Sequence, residues 1–455
     1  MRPFRSRRDL TLLATPEGQK LLAALTTVTI TGALDYQACD DKVCFNPARV
    51  PISFKVLLKG LDRRRMGGPS TSVQWSPRPA GGKIGRTSTG RVEKLVMPKP
   101  SIRRQDPYLP LSKEAFRERF FARFYDPEFE HVAVELERVF EVAWDGYSTY
   151  RKSPRQVPAG AEFNDPGQQL PAEWLATRAA LVAAEARHRD PSTASRVLIV
   201  NGSTRSEHTC PGEISKTRRL AEAARTAIAA LPNFEVDVLD LSTLADEPWK
   251  VIHPCKACVS TAMPLCHWPC SCYPNHALGQ TNDWMAEIYP RWVAAHGVML
   301  LCPVHWYQAP ASLKLMIDRL VCADGGNPDP TTTHGKDPAL AKELELAGWP
   351  YPKHLAGRAF AVVTHGDAAG PETLRRLLAE WLTDMGLVQA GPAAVLDAWI
   401  GYYRPYATSH EDLDQDPATF AQVHNAALAL ADMVGQLRAG EYRKPGDQLH
   451  NPREK

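Results

Sequence analysis

From Arg196 onward the chain alternates short apolar runs with longer amphipathic stretches. Val197-Leu-Ile-Val200, Phe234-Glu-Val-Asp-Val-Leu239, Gly297-Val-Met-Leu-Leu-Cys302, Ala359-Phe-Ala-Val-Val-Thr364 and a weaker run at 391–397 predict five strands. Wholly apolar runs of this length suit strands buried on both faces. Between them, apolar residues recur at helical spacing over 215–231, 281–295, 310–322 and 371–386, and a last helix is expected from 417 to 438. Strands alternating with helices predict an α/β fold with a doubly wound parallel sheet.

The first 195 residues read differently. Two strand-like stretches, Thr27-Val-Thr-Ile-Thr-Gly32 and Pro51-Ile-Ser-Phe-Lys-Val-Leu-Leu58, flank Cys39 and Cys44. Residues 67–97 are rich in Gly, Pro, Ser and Arg and read as a flexible linker. Residues 98–195 predict a helical extension: Ser112 is placed to cap a helix through Phe116, Phe120, Phe121 and Phe124, Asp126-Pro127 breaks it, and it restarts over 132–150. Another helix is expected over 171–188, with Pro171 in its first turn. The expected organisation is therefore a small β segment (1–66), the linker, the extension, an α/β domain over 196–440 and a tail (441–455).

Composition narrows the classes. With 54 Lys+Arg against 51 Asp+Glu, the net charge of +3 gives no reason to expect a nucleic-acid partner. No apolar run reaches the ~18 residues of a membrane span. The start, Met1 to Lys20, has basic residues but its apolar stretch is cut at Pro16, so it makes a poor signal peptide and a cytoplasmic location is expected. In that compartment the 10 cysteines point to metal or redox chemistry before disulfide staples. The 38 prolines predict long loops, of which the stretch from Asp324 to Gly357 is an insertion expected to be a lid or poorly ordered.

The loop after the first strand of the α/β region carries the first chemistry. Asn201-Gly-Ser-Thr-Arg205 and Ser215-Lys-Thr217 hold neither a GxGxxG nor a Walker lysine, which excludes the dinucleotide and P-loop readings. Ser203, Thr204, Arg205, Ser215, Lys216 and Thr217 instead offer hydroxyls and cations beside a helix N-terminus, which suits a terminal phosphate. An ordinary loop in which Ser215 only caps the helix is the alternative.

These residues, with Cys302-Pro303-Val304-His305-Trp306-Tyr307-Gln308 and Ser312-Leu-Lys314-Leu-Met-Ile-Asp318-Arg319, resemble the NADPH-dependent FMN reductase branch of the flavodoxin-like superfamily. His305 stands where that branch commonly has Tyr. The resemblance spans roughly 196–440 and implies a flavodoxin-like five-stranded sheet in the order 2-1-3-4-5. It also implies FMN held by Ser203, Arg205, Ser215 and Thr217 at the phosphate and by Pro303, Val304, His305, Trp306, Tyr307 and Gln308 at the ring. A third loop, His365-Gly366-Asp367, is expected near the flavin. Asp318 and Arg319 are expected to form a structural pair.

The implied activity is an FMN-dependent NAD(P)H oxidoreductase that passes reducing equivalents to a quinone, a flavin or a similar small acceptor. His305, Tyr307 and His365 are the candidate catalytic side chains, and a homo-oligomer is expected by resemblance.

A second constellation is Cys255-Lys-Ala-Cys258, Cys266-His267 and Cys270-Ser-Cys272, five cysteines in 18 residues. Cys255, Cys258, Cys266, Cys270 and Cys272 are candidate ligands for a [4Fe–4S] cluster or a tetrahedral zinc. Iron–sulfur flavoproteins of the same fold place a compact cysteine motif here, which implies the alternative function of an electron carrier that passes single electrons between redox partner proteins without enzymatic turnover. This spacing departs from that motif, and Lys256 and His267 also suit lowered thiol pKa values and a dithiol role, so cluster, zinc and plain thiols stay open.

Trp268, Trp284, Trp292, Trp306 and Tyr307, and a second aromatic stretch from Tyr402 to Tyr406, suit core packing or flavin contact. The segment from Tyr36 to Pro47 resembles the end of the N-terminal domain of DsbD-type thiol:disulfide interchange proteins, whose two cysteines exchange disulfides. It reads as a fusion remnant or a misplaced start, with Met66 or Met97 as internal starts.

Overall fold

The computed structural model describes residues 27–36, 48–57, 110–149, 155–206, 215–247, 249–273, 283–401, 404 and 409–445. The chain divides into two compact units, Met1–Lys94 and Leu95–Lys455. In the first, strands β1 (Thr27–Tyr36) and β2 (Ala48–Leu57) form an antiparallel pair in register Thr27↔Leu57 to Tyr36↔Ala48. Cys39, Cys44 and the 67–97 stretch lie outside the described residues.

The second unit begins with a helical hairpin, α1 (Lys113–Phe121) and α2 (Ala133–Ser148). Ser112 caps α1 by accepting from the Ala115 N–H at 3.2 Å, and Asp126-Pro127 starts a 3-10 turn over Pro127–Val132 rather than a plain break. Phe116, Phe120 and Phe140 are its small core. The extension is not purely helical: β3 (Gln156–Pro158) pairs antiparallel with β4 (Gln169–Pro171), and Pro171 is the cap of α3 (Ala172–Arg189) rather than a residue of its first turn.

The α/β core then runs β5 (Ser195–Asn201), α4 (Lys216–Ala229), β6 (Phe234–Asp240), the short α5 (Thr243–Asp246), α6 (Met285–Ala294), β7 (Gly297–Pro303) and α7 (Ala311–Arg319). It continues with α8 (Pro338–Leu346), β8 (Ala359–Gly366), α9 (Pro371–Asp384), β9 (Val388–Gln389), β10 (Val395–Trp399), α10 (His410–Asp414) and α11 (Pro417–Arg438). The sheet order is β6-β5-β7-β8-β10, all parallel, which is 2-1-3-4-5 in order of appearance. This is the flavodoxin-like arrangement.

The expected fifth strand arrives in two pieces, because Gly391 at φ +89° and a 3-10 turn at Pro392–Ala394 interrupt it between β9 and β10.

The apolar runs follow from two-sided burial. Leu198, Val200, Val298, Leu300, Phe360 and Val362 face α3, α6, α7 and α9. Val197, Ile199, Met299, Leu301, Ala361 and Val363 face α4 and α11. At Gly297 a Cβ would lie 2.7 Å from Val434 Cγ2, so the glycine lets α11 close on the sheet.

The insertion before β8 is folded, with 3-10 turns at Leu320–Ala323 and Pro330–Thr333 ahead of α8. Among the described residues no helix is long and apolar enough to cross a membrane.

Candidate functional site at the carboxyl edge of the sheet

Three loops meet where β5, β7 and β8 end. Asn201, the last residue of β5, sets the first: its Oδ1 accepts from the Ser203 N–H at 3.2 Å while its Nδ2 donates to Asp240 Oδ1 at 2.9 Å. The Gly202 N–H then donates to Leu301 O at 2.8 Å. A Cβ on Gly202 would stand 2.9 Å from Leu313 Cδ2 and 3.2 Å from Leu301 O, so this tight passage between β7 and α7 favours glycine. Ser203 is buried, and its Oγ accepts from the Arg205 N–H at 3.1 Å. Ser206 donates to Asp246.

Ser215 caps α4, its Oγ accepting from the Arg218 N–H at 3.2 Å, so the capping alternative holds as local structure. The first turn of α4 itself carries no acidic residue, so no side chain of that turn offsets the positive end of the helix dipole. Lys216 Nζ donates to Ser409 Oγ at 2.5 Å.

The other two loops are tied to this one through His365. Its ring Nε2 lies 2.8 Å from Thr217 Oγ1, and its carbonyl accepts from the Val304 N–H at 2.8 Å. Burial, followed by the charges of Lys216 and His305, pushes the His365 imidazole down to about 3. It is a neutral hydrogen-bonding joint between the loops. His305 also lies below its ordinary value through burial and the charge of Arg205, so the loop of β7 stands beside the loop of β5.

The β7 loop is strained. His305 and Gln308 close a turn with reciprocal backbone hydrogen bonds of 2.9 and 3.0 Å. The two residues between them, Trp306 and Tyr307, adopt φ of 47° and 69°. Left-handed backbone costs a non-glycine residue on the order of 1–2 kcal/mol, and strain of this kind gathers at ligand clamps. Both side chains point to solvent, Trp306 with 92% exposure.

Just beyond, Ser312 in the first turn of α7 is buried and its Oγ has no hydrogen-bond partner. Pro303, Val304, Gln308, Thr204, Gly366 and the exposed Asp367 complete the three loops.

The expected residues are thus gathered at one edge, and three more belong with them. Asn201 and Asp240 are register partners at the ends of adjacent strands. A polar residue closing each of two apolar runs was a readable signal. Ser312 carried none, since its isolation is a product of packing. The expected Asp318–Arg319 pair does not form. Asp318 pairs with Lys314, and Arg319 pairs with Asp283 in the interior and donates to His253 O at 2.9 Å.

The aromatic expectation divides. Trp268, Trp284 and Trp292 are core residues, whereas Trp306 and Tyr307 are exposed. Tyr402, Tyr403 and Tyr406 lie outside the described residues.

No cluster or zinc centre is shown at Cys255, Cys258, Cys266, Cys270 and Cys272. Among the described residues no three His, Cys, Asp or Glu side chains are placed to hold a metal ion. All five are free thiols, Cys266 being buried.

The donor set at the edge fits FMN. Hydroxyls, a guanidinium and a helix N-terminus suit its phosphate, and Ser312 Oγ, in the first turn of α7, is a buried polar atom without a partner.

The match to a family model points the same way. Residues 195–399 match the family model of NADPH-dependent FMN reductase. No curated protein matches the chain. Among solved structures, RosB with a bound 8-demethyl-8-formylriboflavin-5'-phosphate intermediate is similar at 14% identity and a TM-score of 0.36, over 55% of this chain and 82% of that one. An oxidoreductase from Corynebacterium diphtheriae is similar at 16% identity and a TM-score of 0.31, over 54% and 99%. The apo form of the NADH:FMN oxidoreductase EmoB is similar at 16% identity and a TM-score of 0.30, over 56% and 93%. The stretch that carries all three loops, residues 195–399, is the part of the chain that the NADPH-dependent FMN reductase model matches, and it forms an oxidoreductase domain.

Proposed function

We propose that the chain passes reducing equivalents from NAD(P)H through FMN bound at this edge to a quinone, a flavin or a similar small acceptor. The observation that carries the reading is the His365 joint, which brings the loops of β5, β7 and β8 together. Ser203, Ser215 and the first amides of α4 would hold the phosphate, with Arg205 and Lys216 supplying positive charge. Residues 303–308 with Gly366 and Asp367 would border the ring.

When bound, FMN supplies hydride acceptance and release, which no side chain can. The protein contributes position and exclusion of water. Thr217 and His365 fix the phosphate helix against β8, Asn201 shapes the loop from beneath, and the Trp306-Tyr307 turn presents aromatic surface to an incoming planar substrate. His305 and Tyr307 remain the side chains for proton exchange with solvent at this edge.

Titration of the full chain with FMN, read by quenching of flavin fluorescence, tests the site. Arg205→Ala is expected to weaken binding at least tenfold, as loss of a charged hydrogen bond to phosphate predicts (roughly 1.5–3 kcal/mol). Unchanged affinity overturns the phosphate assignment. Anaerobic NADPH is then expected to bleach the visible bands of the FMN-loaded protein, with reoxidation by added quinone. A loaded protein that NADPH does not bleach overturns the reductase reading and leaves that of an electron carrier.

A further inference from the structure

The amino end of the sheet carries a cavity that the flavin edge does not use. Its volume is about 690 Å³, within the ~300–1,000 Å³ usual for small-molecule sites. The second half of α3 lines it, together with Val293 of α6, Arg358 and part of the folded insertion. Arg358 immediately precedes β8, and Gly366 ends that strand. The strand between them spans roughly 26 Å, so a small molecule held beside Arg358 does not reach the loops at the carboxyl edge.

The charges around the cavity do not balance. Arg358 is buried, with only 2% of it exposed. Its Nη2 donates to Glu185 Oε2 at 3.1 Å and to Val293 O at 2.7 Å, while its Nε–H is buried without an acceptor. Glu185 does not serve Arg358 alone, because its Oε1 accepts from Arg189 Nε at 2.9 Å. One carboxylate is thus shared by two guanidiniums. The other charged residues of the lining, Arg178 and Lys353, are cations as well. Arg178 pairs with Glu162 at 3.4 Å and Lys353 pairs with Asp324, so carboxylates outside the lining match these two. Burial holds the lining histidines, His188 and His354, below their ordinary pKa, and they add no charge at neutral pH. The surplus therefore lies at Glu185. It is one positive charge beside a buried group, where salt and water screen it less than at an open surface.

The rest of the surface is apolar and rigid. Trp268 stacks on His354 with ring centroids 5.1 Å apart and planes at 12°. Pro269, Pro328 and Pro352 line the same cavity. Rings and prolines lose little conformational freedom when a flat molecule packs against them. An inorganic anion would answer the charge and leave these walls wet, and a neutral aromatic would do the reverse. Only an anion with an apolar body answers both.

We propose that this cavity binds a small organic anion with a flat apolar body, an aromatic carboxylate in class, separately from the flavin. The carboxylate completes the Arg189–Glu185–Arg358 group from the Arg189 side, since Arg189 is the exposed partner and Arg358 the buried one. The ring system packs against Trp268, His354 and the prolines.

Isothermal titration calorimetry on the full chain, with and without FMN, tests this with 2-naphthoate as the probe and neutral 2-naphthamide as its control. One saturable site is expected for naphthoate, at the same affinity in both forms, with the amide bound about tenfold more weakly. Arg189→Gln returns Glu185 to Arg358 alone and is expected to bring naphthoate within about threefold of the amide. Val182 lines the cavity and is exposed, so Val182→Trp is expected to fill the entrance and weaken both probes about tenfold.

Absence of a saturable site overturns the proposal, and so does equal affinity for the acid and the amide. Displacement of naphthoate by FMN places the probe at the flavin edge and overturns it too. Naphthoate affinity untouched by both substitutions overturns the location. Because FMN binding is measured separately in each protein, failure here and failure of the flavin site are distinguishable.

Discussion

The carboxyl edge of the sheet and the cysteine loop are both dense in chemistry, and they are built in opposite ways. The edge is assembled from segments far apart in sequence, each ending a buried strand, and one bond between Thr217 and His365 spans 148 positions. The cysteine loop is a single local run, and its neighbour Lys336 arrives from an insertion 78 positions beyond Cys258. In the first region topology does the gathering, and a parallel sheet brings its strand ends together whatever the loops contain. In the second, the loop must be held by contacts particular to this chain. Damage should therefore spread differently in the two regions, and the predictions below press on that difference in order of expected size.

The largest effect is expected at the anchor of the cysteine loop. Asp283 and Arg319 form an interior ion pair, and Arg319 also donates to His253 O in the loop. Asp283→Ala leaves a buried guanidinium without its partner, which costs about 3–5 kcal/mol. Urea unfolding measures it. A loss below about 1 kcal/mol would mean that the loop is held by something other than this pair. FMN affinity in the variant, measured while it is folded, should change little if the two regions are independent.

Next comes pH. His365 titrates near 3 in the folded chain against an ordinary 6.5. At pH 7 it is neutral in both states and contributes nothing. As pH falls below 6.5 the unfolded chain binds a proton that the folded chain refuses, so stability is lost progressively towards pH 3. Between pH 6.5 and 5 this amounts to about 2 kcal/mol from His365. His188 and His296, each pushed by burial to about 4, add in the same direction. Unfolding free energies at pH 7 and pH 5 check the sign. His365→Gln should flatten the profile by about 2 kcal/mol, and a variant with the slope of the parent protein would remove His365 from the account.

Much of the first region was legible because its logic is periodic. Five apolar runs between amphipathic stretches specify a parallel sheet, and hydroxyls with Arg205 between a strand end and a helix start specify where an anion suits. The break in the fifth strand at Gly391 was not legible, since a single glycine in a weak run marks no boundary by itself. His365 was visible as a loop residue but not as a joint, because burial and the approach of Thr217 are tertiary facts. The cysteine spacing was the most conspicuous local signal and the least decisive. It names ligand atoms without saying which of them face each other. Lys336, in a stretch read as a lid or as poorly ordered, stands 3.8 Å from Cys258 Sγ.

The smallest effect separates strain from fold. Trp306 sits at φ 47° with its side chain in solvent, so the folded chain gains little from the indole and bears the cost of the backbone. Trp306→Gly should relieve that cost and raise stability by about 0.5–1 kcal/mol, after the added flexibility of glycine in the unfolded chain is subtracted. If the turn exists to present a flat surface beside the flavin, the same variant should bind FMN through its phosphate nearly as well but turn over NADPH several-fold more slowly, with the loss in KM. A variant that is less stable than the parent would show that the turn is held for packing. A variant that is more stable and equally fast would leave the strain at this edge without a functional reason. Either result would make the edge resemble the cysteine loop, a place where local geometry is fixed by neighbours rather than kept for a ligand.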